Sequence, residues 1–302
     1  MSKSLLAVVM VIITTFFWGT NFNAGKLVVS HIMPLTASAM RYVLAALVLL
    51  AINLPHLKLL PGAFKNNMVI FILLGVIGVA GFNGLFLLGL KYTSPINGAL
   101  IMATNPLITT LLAVLVLKEP IHLHHRIGML ISLLGVIIVI THGSWDALSH
   151  FRINIGDGII FAANFCWASY GVLNRRYVKY SSALLTTTST MLLGAALLVL
   201  AAGFEPHGYA SALHQPWYIY ALIVYMAIGG SAFAYLFWNY SIEQLGPSRT
   251  SLFFNLVPVF TVLVSIITGT PLNGLQLFGG ALVIFGVFIS MSVSQKDRIQ
   301  EV

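Results

Sequence analysis

Apolar stretches of about 20 residues alternate with short polar breaks along nearly the whole chain. A helix rises about 1.5 Å per residue, so a stretch of this length spans the roughly 30 Å hydrocarbon core of a bilayer. Turn-forming residues such as Gly246-Pro247 mark several of the breaks. The pattern predicts an all-α polytopic membrane protein with ten transmembrane helices, at residues 5–27, 33–53, 68–90, 94–117, 124–142, 155–174, 183–203, 216–242, 247–269 and 273–293.

The composition supports a lipid-facing surface. Hydrophobic residues make up 59% of the chain and charged residues 7%, whereas soluble domains carry roughly 25% charged residues. In a soluble protein the net charge of +8 would suggest a nucleic-acid partner. Here the basic residues sit singly in short loops, so we expect a lipid bilayer as the surroundings and no nucleic-acid partner.

The basic residues also predict an orientation. With the N-terminus inside, the inner segments hold 11 of the 15 Lys and Arg residues, and cytoplasmic loops are enriched in these residues. The remaining four are Lys26, Arg41, Lys91 and Arg152. The N-terminal stretch lacks a cleavage site for a signal peptidase, which favours an uncleaved first helix. We expect a multi-pass protein of the plasma (inner) membrane with both termini in the cytoplasm.

The two halves of the chain resemble each other. One set of residues recurs 152 positions later: Pro95, Leu100, Pro106, Thr109 and Leu111 match Pro247, Leu252, Pro258, Thr261 and Leu263. Gly128 and Gly135 match Gly279 and Gly286, and Trp18 matches Trp167. The sequence therefore predicts two five-helix repeats, at residues 1–145 and 146–302. Five is odd, so the second repeat runs in the opposite sense across the membrane, an architecture typical of transporters.

Several short motifs occur in order along residues 12–292: Phe17-Trp18-Gly19-Thr20-Asn21-Phe22, Arg41-Tyr42, Lys91-Tyr92-Thr93-Ser94, Asn105-Pro106, Lys118-Glu119-Pro120, Gly246-Pro247-Ser248 and Val257-Pro258-Val259-Phe260. With the internal repeat, this set resembles the EamA-type ten-helix members of the drug/metabolite transporter superfamily. The resemblance implies transport of small organic metabolites, often export of amino acids or related compounds. Gly269-Thr270-Pro271 departs from the Gly-Glu-Pro common in that family, so Glu119 lacks an acidic counterpart.

Polar and aromatic residues inside the predicted helices are the candidates for a substrate site. Arg41 lies well inside the second helix, where it either contacts an anionic group of a substrate or extends toward the lipid headgroups. Amides and aromatic rings at such depth either line a cavity, join neighbouring helices or form an interfacial belt. The predicted substrate-binding set is Trp18, Asn21, Arg41, Asn83, Asn105, Trp167, Tyr170, Tyr235, Trp238, Asn239 and Asn255.

Catalytic and metal-binding patterns are missing from the sequence. His122, His124 and His125 favour a solvated patch beside the membrane over a metal site, and we expect no cofactor and no enzyme activity. The spans carry no clear carboxylate for a proton relay. The favoured hypothesis is an exporter of amino acids or related compounds that works by alternating access through a central cavity. A facilitative uptake or exchange carrier for a nucleoside, vitamin or nucleotide-like compound is the alternative, and a lipid-modifying enzyme a more distant one.

Overall fold

The computed structural model describes residues 2–93, 95–141, 143–144, 154–267 and 274–291. Six of its long helices are continuous: α1 (Lys3–Val29), α2 (Pro34–Ile52), α5 (Leu123–Thr141), α6 (Ile155–Tyr177), α7 (Ala183–Ala202) and α10 (Gly274–Met291). Helix α3 comprises Leu60–Leu74, Gly75–Gly81 and Phe82–Tyr92, and α4 comprises Pro95–Met102 and Asn105–Leu117. Helix α8 comprises Trp217–Tyr225, Met226–Phe233 and Ala234–Leu245, and α9 comprises Pro247–Leu252, Phe253–Asn255 and Leu256–Ile267.

This architecture confirms the all-α fold with ten helices in two repeats. Within the described residues, nine helices are long and apolar enough to cross a membrane. Helix α6 has 23 residues, about 35 Å at 1.5 Å per residue, but it is less apolar. Its polar residues Asp157, Asn164 and Asn174 are buried against other helices, whereas Phe161 and Phe165 are exposed, so α6 turns its polar face into the bundle and an apolar face outward. Helix α3 begins at Leu60 and not at residue 68 as the apolar pattern predicts.

Four helices contain local interruptions at equivalent positions in the two repeats. Gly75–Gly81 in α3 and Met226–Phe233 in α8 are π-helical, a wider winding that is frequent at functional sites. Helix α4 breaks before Asn105-Pro106, and α9 passes through a short 3₁₀ turn, Phe253–Asn255. Pro106 and Pro258 explain the second pair of interruptions, because proline lacks the N–H that continues a helix.

Helix pairs in the bundle come in symmetric sets. Helix α1 packs on α8 as α3 packs on α6, and α2 packs on α8 as α3 packs on α7. Helix α1 also packs on α9 as α6 packs on α4, and two other large interfaces join equivalent helices, α2 with α7 and α5 with α10. In the first set, Ser241 donates to the Ala7 carbonyl at 2.9 Å, and Gly89 lies against Gly156 at the equivalent place. This exchange of partners is what an inverted repeat produces.

Glycines allow α5 and α10 to touch backbone to backbone. A Cβ added to Gly135 would lie 2.6 Å from the Gly279 carbonyl oxygen, and one on Gly286 would lie 2.6 Å from the Gly128 oxygen. Real Cβ atoms do not approach so closely, so only glycine fits at this interface. Gly128 and Gly135 lie seven residues apart, as do Gly279 and Gly286, so each pair shares one face of its helix. This face is a packing surface, in agreement with small-residue interfaces between membrane helices.

Two carboxylates cap helices at one end of the bundle. We call the end where α1 begins the N-terminal face and the other end the opposite face. At the opposite face Glu205, between α7 and α8, accepts hydrogen bonds of 3.0 Å from the Leu35 and Thr36 amides at the start of α2. Asp157 and Asn154 form a capping box at the start of α6. Carboxylates favour helix N-termini because the exposed N–H groups and the helix dipole attract negative charge.

Candidate functional site

Five aromatic side chains meet at the centre of the bundle, between the two repeats. The Trp167 ring lies 5.3 Å from Trp18, 5.2 Å from Tyr235 and 5.6 Å from Trp238, and stacks on Tyr170 at 5.3 Å. These distances are typical of favourable ring pairs. We call Trp18, Trp167, Tyr170, Tyr235 and Trp238 the aromatic cluster. The sequence predicts rings that line a cavity, but the rings contact one another, so the site is closed in this conformation.

The two equivalent tryptophans of the cluster differ in their indole N–H groups. Trp18 donates to the Gly230 carbonyl at 3.0 Å. Trp167, which is 2% exposed, has no hydrogen-bond partner for its Nε1 among the described residues. A buried donor left unpaired costs about 1–3 kcal/mol, and such groups often have a functional explanation. The Trp167 indole is therefore an unsatisfied donor inside the cluster, within the described part of the chain.

A hydrogen-bonded triad lies beside the cluster. Tyr42 donates to Asn83 Oδ1 at 2.8 Å, and Asn83 Nδ2 donates to the Tyr235 hydroxyl at 3.2 Å. Tyr235 in turn donates to the Gly78 carbonyl in the π-helical segment of α3, at 3.1 Å. Asn83 and Tyr235 are repeat equivalents and touch at the repeat interface. The predicted set omits Tyr42, although the Arg41-Tyr42 motif and a tyrosine within an apolar span were available signals.

Arg41 is bound to α8. Its Nε donates to the Ser231 hydroxyl at 2.6 Å and its Nη2 to the Gly230 carbonyl at 3.1 Å, and the guanidinium lies 5.1 Å from the centre of the Tyr42 ring. Both acceptors are uncharged, and within the described part of the chain the contacts of Arg41 include no carboxylate. In this conformation the guanidinium is thus bound to α8 at a partly exposed position.

Asn21 is a second buried group without partners. Its side chain is 8% exposed, and neither its oxygen nor its nitrogen has a hydrogen-bond partner among the described residues. The amide fills the space where a Gly230 side chain would be, because a Cβ there would lie 2.6 Å from Asn21 Cγ. In the other repeat the equivalent Gly78 makes the same room for Tyr170, whose Cγ would lie 2.5 Å from an added Cβ. Asn21 and Tyr170 are thus equivalent in sequence and in packing.

Asn239 connects the cluster to the N-terminal face. It accepts from Asn174 Nδ2 at 3.0 Å and donates to the Tyr170 hydroxyl at 2.7 Å and the Thr187 hydroxyl at 2.8 Å. Asn239 and Asn174 also line a polar cavity of ≈ 70 Å³ with Arg175 and Glu243, at the ends of α6 and α8. Asn174 and Thr187 are absent from the predicted set because they sit at a helix end and in a threonine-rich run.

The remaining predicted amides lie at the broken helices. Asn105 Nδ2 donates to Asn164 Oδ1 at 2.7 Å, joining α4 to α6, so Asn105 acts as an interhelical contact. Asn255 donates to Ser132 at 3.0 Å, and its Oδ1 has no partner among the described residues. Asn255 lines a cavity of ≈ 50 Å³ together with Phe254. Phe254 contacts Trp18 at 5.6 Å, which places this cavity beside the aromatic cluster.

Two features of the N-terminal face differ from the simplest sequence interpretation. His125 is buried, not solvated, because α5 begins at Leu123 and turns His125 toward α4 and α10. Its ring lies within hydrogen-bond distance of Thr110 (3.3 Å) and Ser290 (2.8 Å). Glu119 accepts from the Ser248 hydroxyl at 2.8 Å, linking the α4–α5 connection to the start of α9. The departure at Gly269-Thr270-Pro271 lies outside the described residues.

Comparisons with known proteins agree with this architecture. The sequence model of the EamA-like transporter family matches residues 5–141 and again 154–292. The chain belongs to the EamA-like transporter family. The transporter YyaM of Bacillus subtilis, a relative called uncharacterized, is 42% identical over 291 residues, which cover 96% of this chain and 95% of the relative. An Archaeoglobus fulgidus transporter, also called uncharacterized, is 26% identical over 92% of this chain and 95% of its own.

A solved crystal structure shares the fold of this EamA-family chain. It superposes with a TM-score of 0.79 over 94% of this chain and 96% of its own length, at 19% sequence identity. At that identity the likeness establishes the fold alone. Family membership and the membrane-spanning helices make the chain a multi-pass membrane transporter.

Proposed function

We propose that this EamA-family transporter exports amino acids or related compounds by alternating access, with the aromatic cluster as the substrate site. One observation carries the proposal: Trp167 presents a buried indole N–H without a described partner at the centre of the repeat interface. Flat or apolar parts of a substrate would stack between the rings once they part. The indole N–H would then donate to the substrate.

The polar cavity at the N-terminal face supports the export direction. It lies next to Asn239, which binds the cluster residue Tyr170. If both termini are cytoplasmic, as the distribution of Lys and Arg predicts, this cavity faces the cytoplasm. A substrate would enter from that side, displace the Asn239–Tyr170 contact and reach the rings.

The symmetric interruptions support alternating access. The π-helical segments of α3 and α8 and the breaks in α4 and α9 surround the cluster at equivalent positions. Discontinuous helices at the interface of inverted repeats are typical of transporter binding sites. Bending at one set of interruptions would open the N-terminal face, and bending at the other set would open the opposite face.

The decisive experiment measures efflux of labelled amino acids from proteoliposomes, first as a panel and then with variants. Trp167→Phe removes the indole N–H and keeps an aromatic ring, so we expect transport efficiency to fall about two- to tenfold, the range for one hydrogen bond. The melting temperature should fall only by the packing cost of the smaller ring, because this N–H has no described protein partner. Trp217→Phe is the matched control, since Trp217 is 79% exposed. Equal transport by the two variants, or no efflux of any panel member, would contradict the proposal.

The orientation has a separate test. A reporter that is active only in the cytoplasm, fused after Val302, should be active, and one that works only outside should be silent. The last residues lie outside the described part of the chain, so the fusion leaves every described contact in place. The reverse reporter pattern would turn the polar cavity outward and favour uptake over export.

A further inference from the structure

Arg41 and Asn21 lie against the same residue of α8. Arg41 Nη2 donates to the Gly230 carbonyl at 3.1 Å, and the Asn21 amide packs over the Gly230 Cα. The indole of Trp18 also donates to this carbonyl, at 3.0 Å. The guanidinium, the unpartnered amide and one edge of the aromatic cluster are therefore within reach of a single small functional group.

Near Gly230, several hydrogen-bonding groups have no partner among the described residues. The buried Asn21 amide has two donors and an acceptor with no described partner. Arg41 uses two of its five donors, and both go to neutral oxygens. Hydrogen bonds from a guanidinium to a carboxylate are roughly twice as strong as bonds to neutral acceptors. A carboxylate would satisfy both side chains better than the protein does.

We infer that Arg41 and Asn21 bind the carboxylate of the transported compound and that this binding releases Arg41 from α8, which unlocks the opposite face. The inference rests on the proposed function and assigns its substrate class: organic carboxylates with a flat, apolar body. Arg41 supplies a single positive charge, which balances a carboxylate, whereas a phosphate ester dianion calls for a second cation. The body of the compound occupies the aromatic cluster.

The link between binding and opening follows from what Arg41 holds. Arg41 joins α2 to the π-helical segment of α8 through Gly230 and Ser231. At the equivalent place between α7 and α3 the residue is Thr190, whose hydroxyl donates to Thr186 of its own helix at 2.9 Å. Between these two equivalent interfaces, the charged link occurs within the described residues at α2–α8 and not at α7–α3. When the guanidinium turns to a carboxylate, the opposite face loses two hydrogen bonds and the N-terminal face loses none.

A cysteine at Gly25 reports the opening. Gly25 follows Asn21 by one helical turn and is partly exposed. A Cβ there would lie 3.5 Å from Met226 of α8, so a cysteine fits, and its reaction rate depends on how closely α8 covers it. The test uses purified full-length protein in which Cys166 is replaced by serine and Gly25 by cysteine. The measured quantity is the rate of reaction with a charged, water-soluble maleimide.

Four probes with the same ring separate the functional groups: indole-3-propionate, tryptophan, tryptamine and indole. We expect the two carboxylates to raise the labelling rate about tenfold over tryptamine and indole. In Arg41→Gln, labelling should be fast without any probe, and the dissociation constants of the carboxylates should rise about 10- to 100-fold. Arg41→Lys should recover part of the effect, since the charge stays and the fork of donors is lost.

Ser231→Ala and Thr190→Val complete the test. Ser231→Ala removes one acceptor of Arg41 and should give an intermediate labelling rate, even if Arg41→Gln fails to fold. Thr190→Val, at the equivalent position of the other repeat, should leave labelling of the Gly25 cysteine unchanged. Equal effects of all four probes, or slow labelling in both Arg41→Gln and Ser231→Ala, would overturn the inference. Normal probe-dependent labelling without any amino-acid efflux would instead overturn the export proposal and leave the carboxylate site standing.

Discussion

The π-helical segments of α3 and α8 occupy equivalent positions but bind different side chains. In α3, the Gly78 carbonyl accepts from the Tyr235 hydroxyl, and the ring of Tyr170 packs on the Gly78 Cα. In α8, the Gly230 carbonyl accepts from Trp18 and Arg41, and the amide of Asn21 takes the place of the ring. The backbone has the same winding in both segments. The α3 segment contacts neutral aromatic side chains, whereas the α8 segment contacts the charged Arg41.

The comparison shows which features the two π-helical segments share and which side chains differ between them. Both segments keep a glycine where a neighbouring side chain crosses the backbone, because any Cβ would collide with it. Symmetry at this level would allow the two equivalent bending motions of the proposed alternating access. The side chains on the carbonyls differ, and Arg41, the cation among them, is the group that we infer to bind a substrate carboxylate.

Adding a side chain at Gly78, where Tyr170 crosses α3, should have the largest effect on stability. In Gly78→Ala the new Cβ would lie 2.5 Å from Tyr170 Cγ and 2.9 Å from Tyr170 Cβ, atoms that cannot move without shifting α6. We expect a loss of about 3 kcal/mol in the free energy of unfolding, the upper range for overpacking, measured by denaturation in mixed micelles. Gly230→Ala should lose less, because it meets the end of the Asn21 side chain.

Gly62→Ala is the control for this pair of variants. Gly62 is helical, and no atom lies within 4 Å of its added Cβ, so alanine should gain about 0.5–1 kcal/mol through the backbone entropy of glycine. A loss in Gly230→Ala as large as that in Gly78→Ala would show that the two crossings are equally rigid, which would contradict the comparison.

Removing the Tyr235 hydroxyl, which donates to the Gly78 carbonyl of α3, should have an intermediate effect on stability. Tyr235→Phe leaves the Gly78 carbonyl without its side-chain donor and takes one partner from Tyr42 and one from Asn83. We expect a loss of about 1–2 kcal/mol in the free energy of unfolding, given the modest size of hydrogen bonds between membrane helices. An unchanged free energy of unfolding would mean that the triad does not hold α3 against α8.

The two equivalent tryptophans should give the smallest contrast. Trp18→Phe removes a hydrogen bond to the Gly230 carbonyl, which keeps Arg41 as a donor, so we expect a loss of about 0.5–1 kcal/mol. Trp167→Phe removes an N–H without a described partner, so the hydrogen-bond part of its loss should be smaller. Both variants also remove ring atoms, and this packing loss is larger at Trp167, which is 2% exposed, than at the partly exposed Trp18. An unchanged free energy of unfolding in Trp18→Phe would contradict a contribution from its hydrogen bond.

The helices, the repeat and most of the aromatic cluster were predictable because they depend on local pattern. A run of apolar residues suffices to predict a spanning helix, and a constant offset suffices to pair Trp18 with Trp167 and Asn83 with Tyr235. The π-helical windings were not predictable. Glycines at Gly75, Gly78 and Gly81 indicate either a bend or close packing, and the choice depends on which helix crosses there.

The hydrogen-bond partners of the polar groups were also not predictable from the sequence, because they depend on how the helices assemble. Eight of the predicted site residues form hydrogen bonds with residues more than 40 positions away, as in the Arg41–Ser231 bond across 190 positions. His125 is buried, although the sequence pattern favours a solvated position. A shift of one residue along helix α5 decides whether a side chain faces solvent or the contact with α4 and α10. Sequence pattern fixes the depth of a residue in the membrane, whereas its angular neighbours follow only from the assembled bundle.

The cap on α2 has a consequence for how the protein is made. Glu205 binds the amides of Leu35 and Thr36 across 170 and 169 positions of the chain. At a synthesis rate of about 5–20 residues per second, α2 leaves the ribosome roughly 10–30 s before the residue that caps it. During that interval its first amides depend on water or headgroups, and the first repeat alone never acquires this acceptor. The carboxylate cap of α2 therefore forms only after the second repeat has been synthesised as far as Glu205.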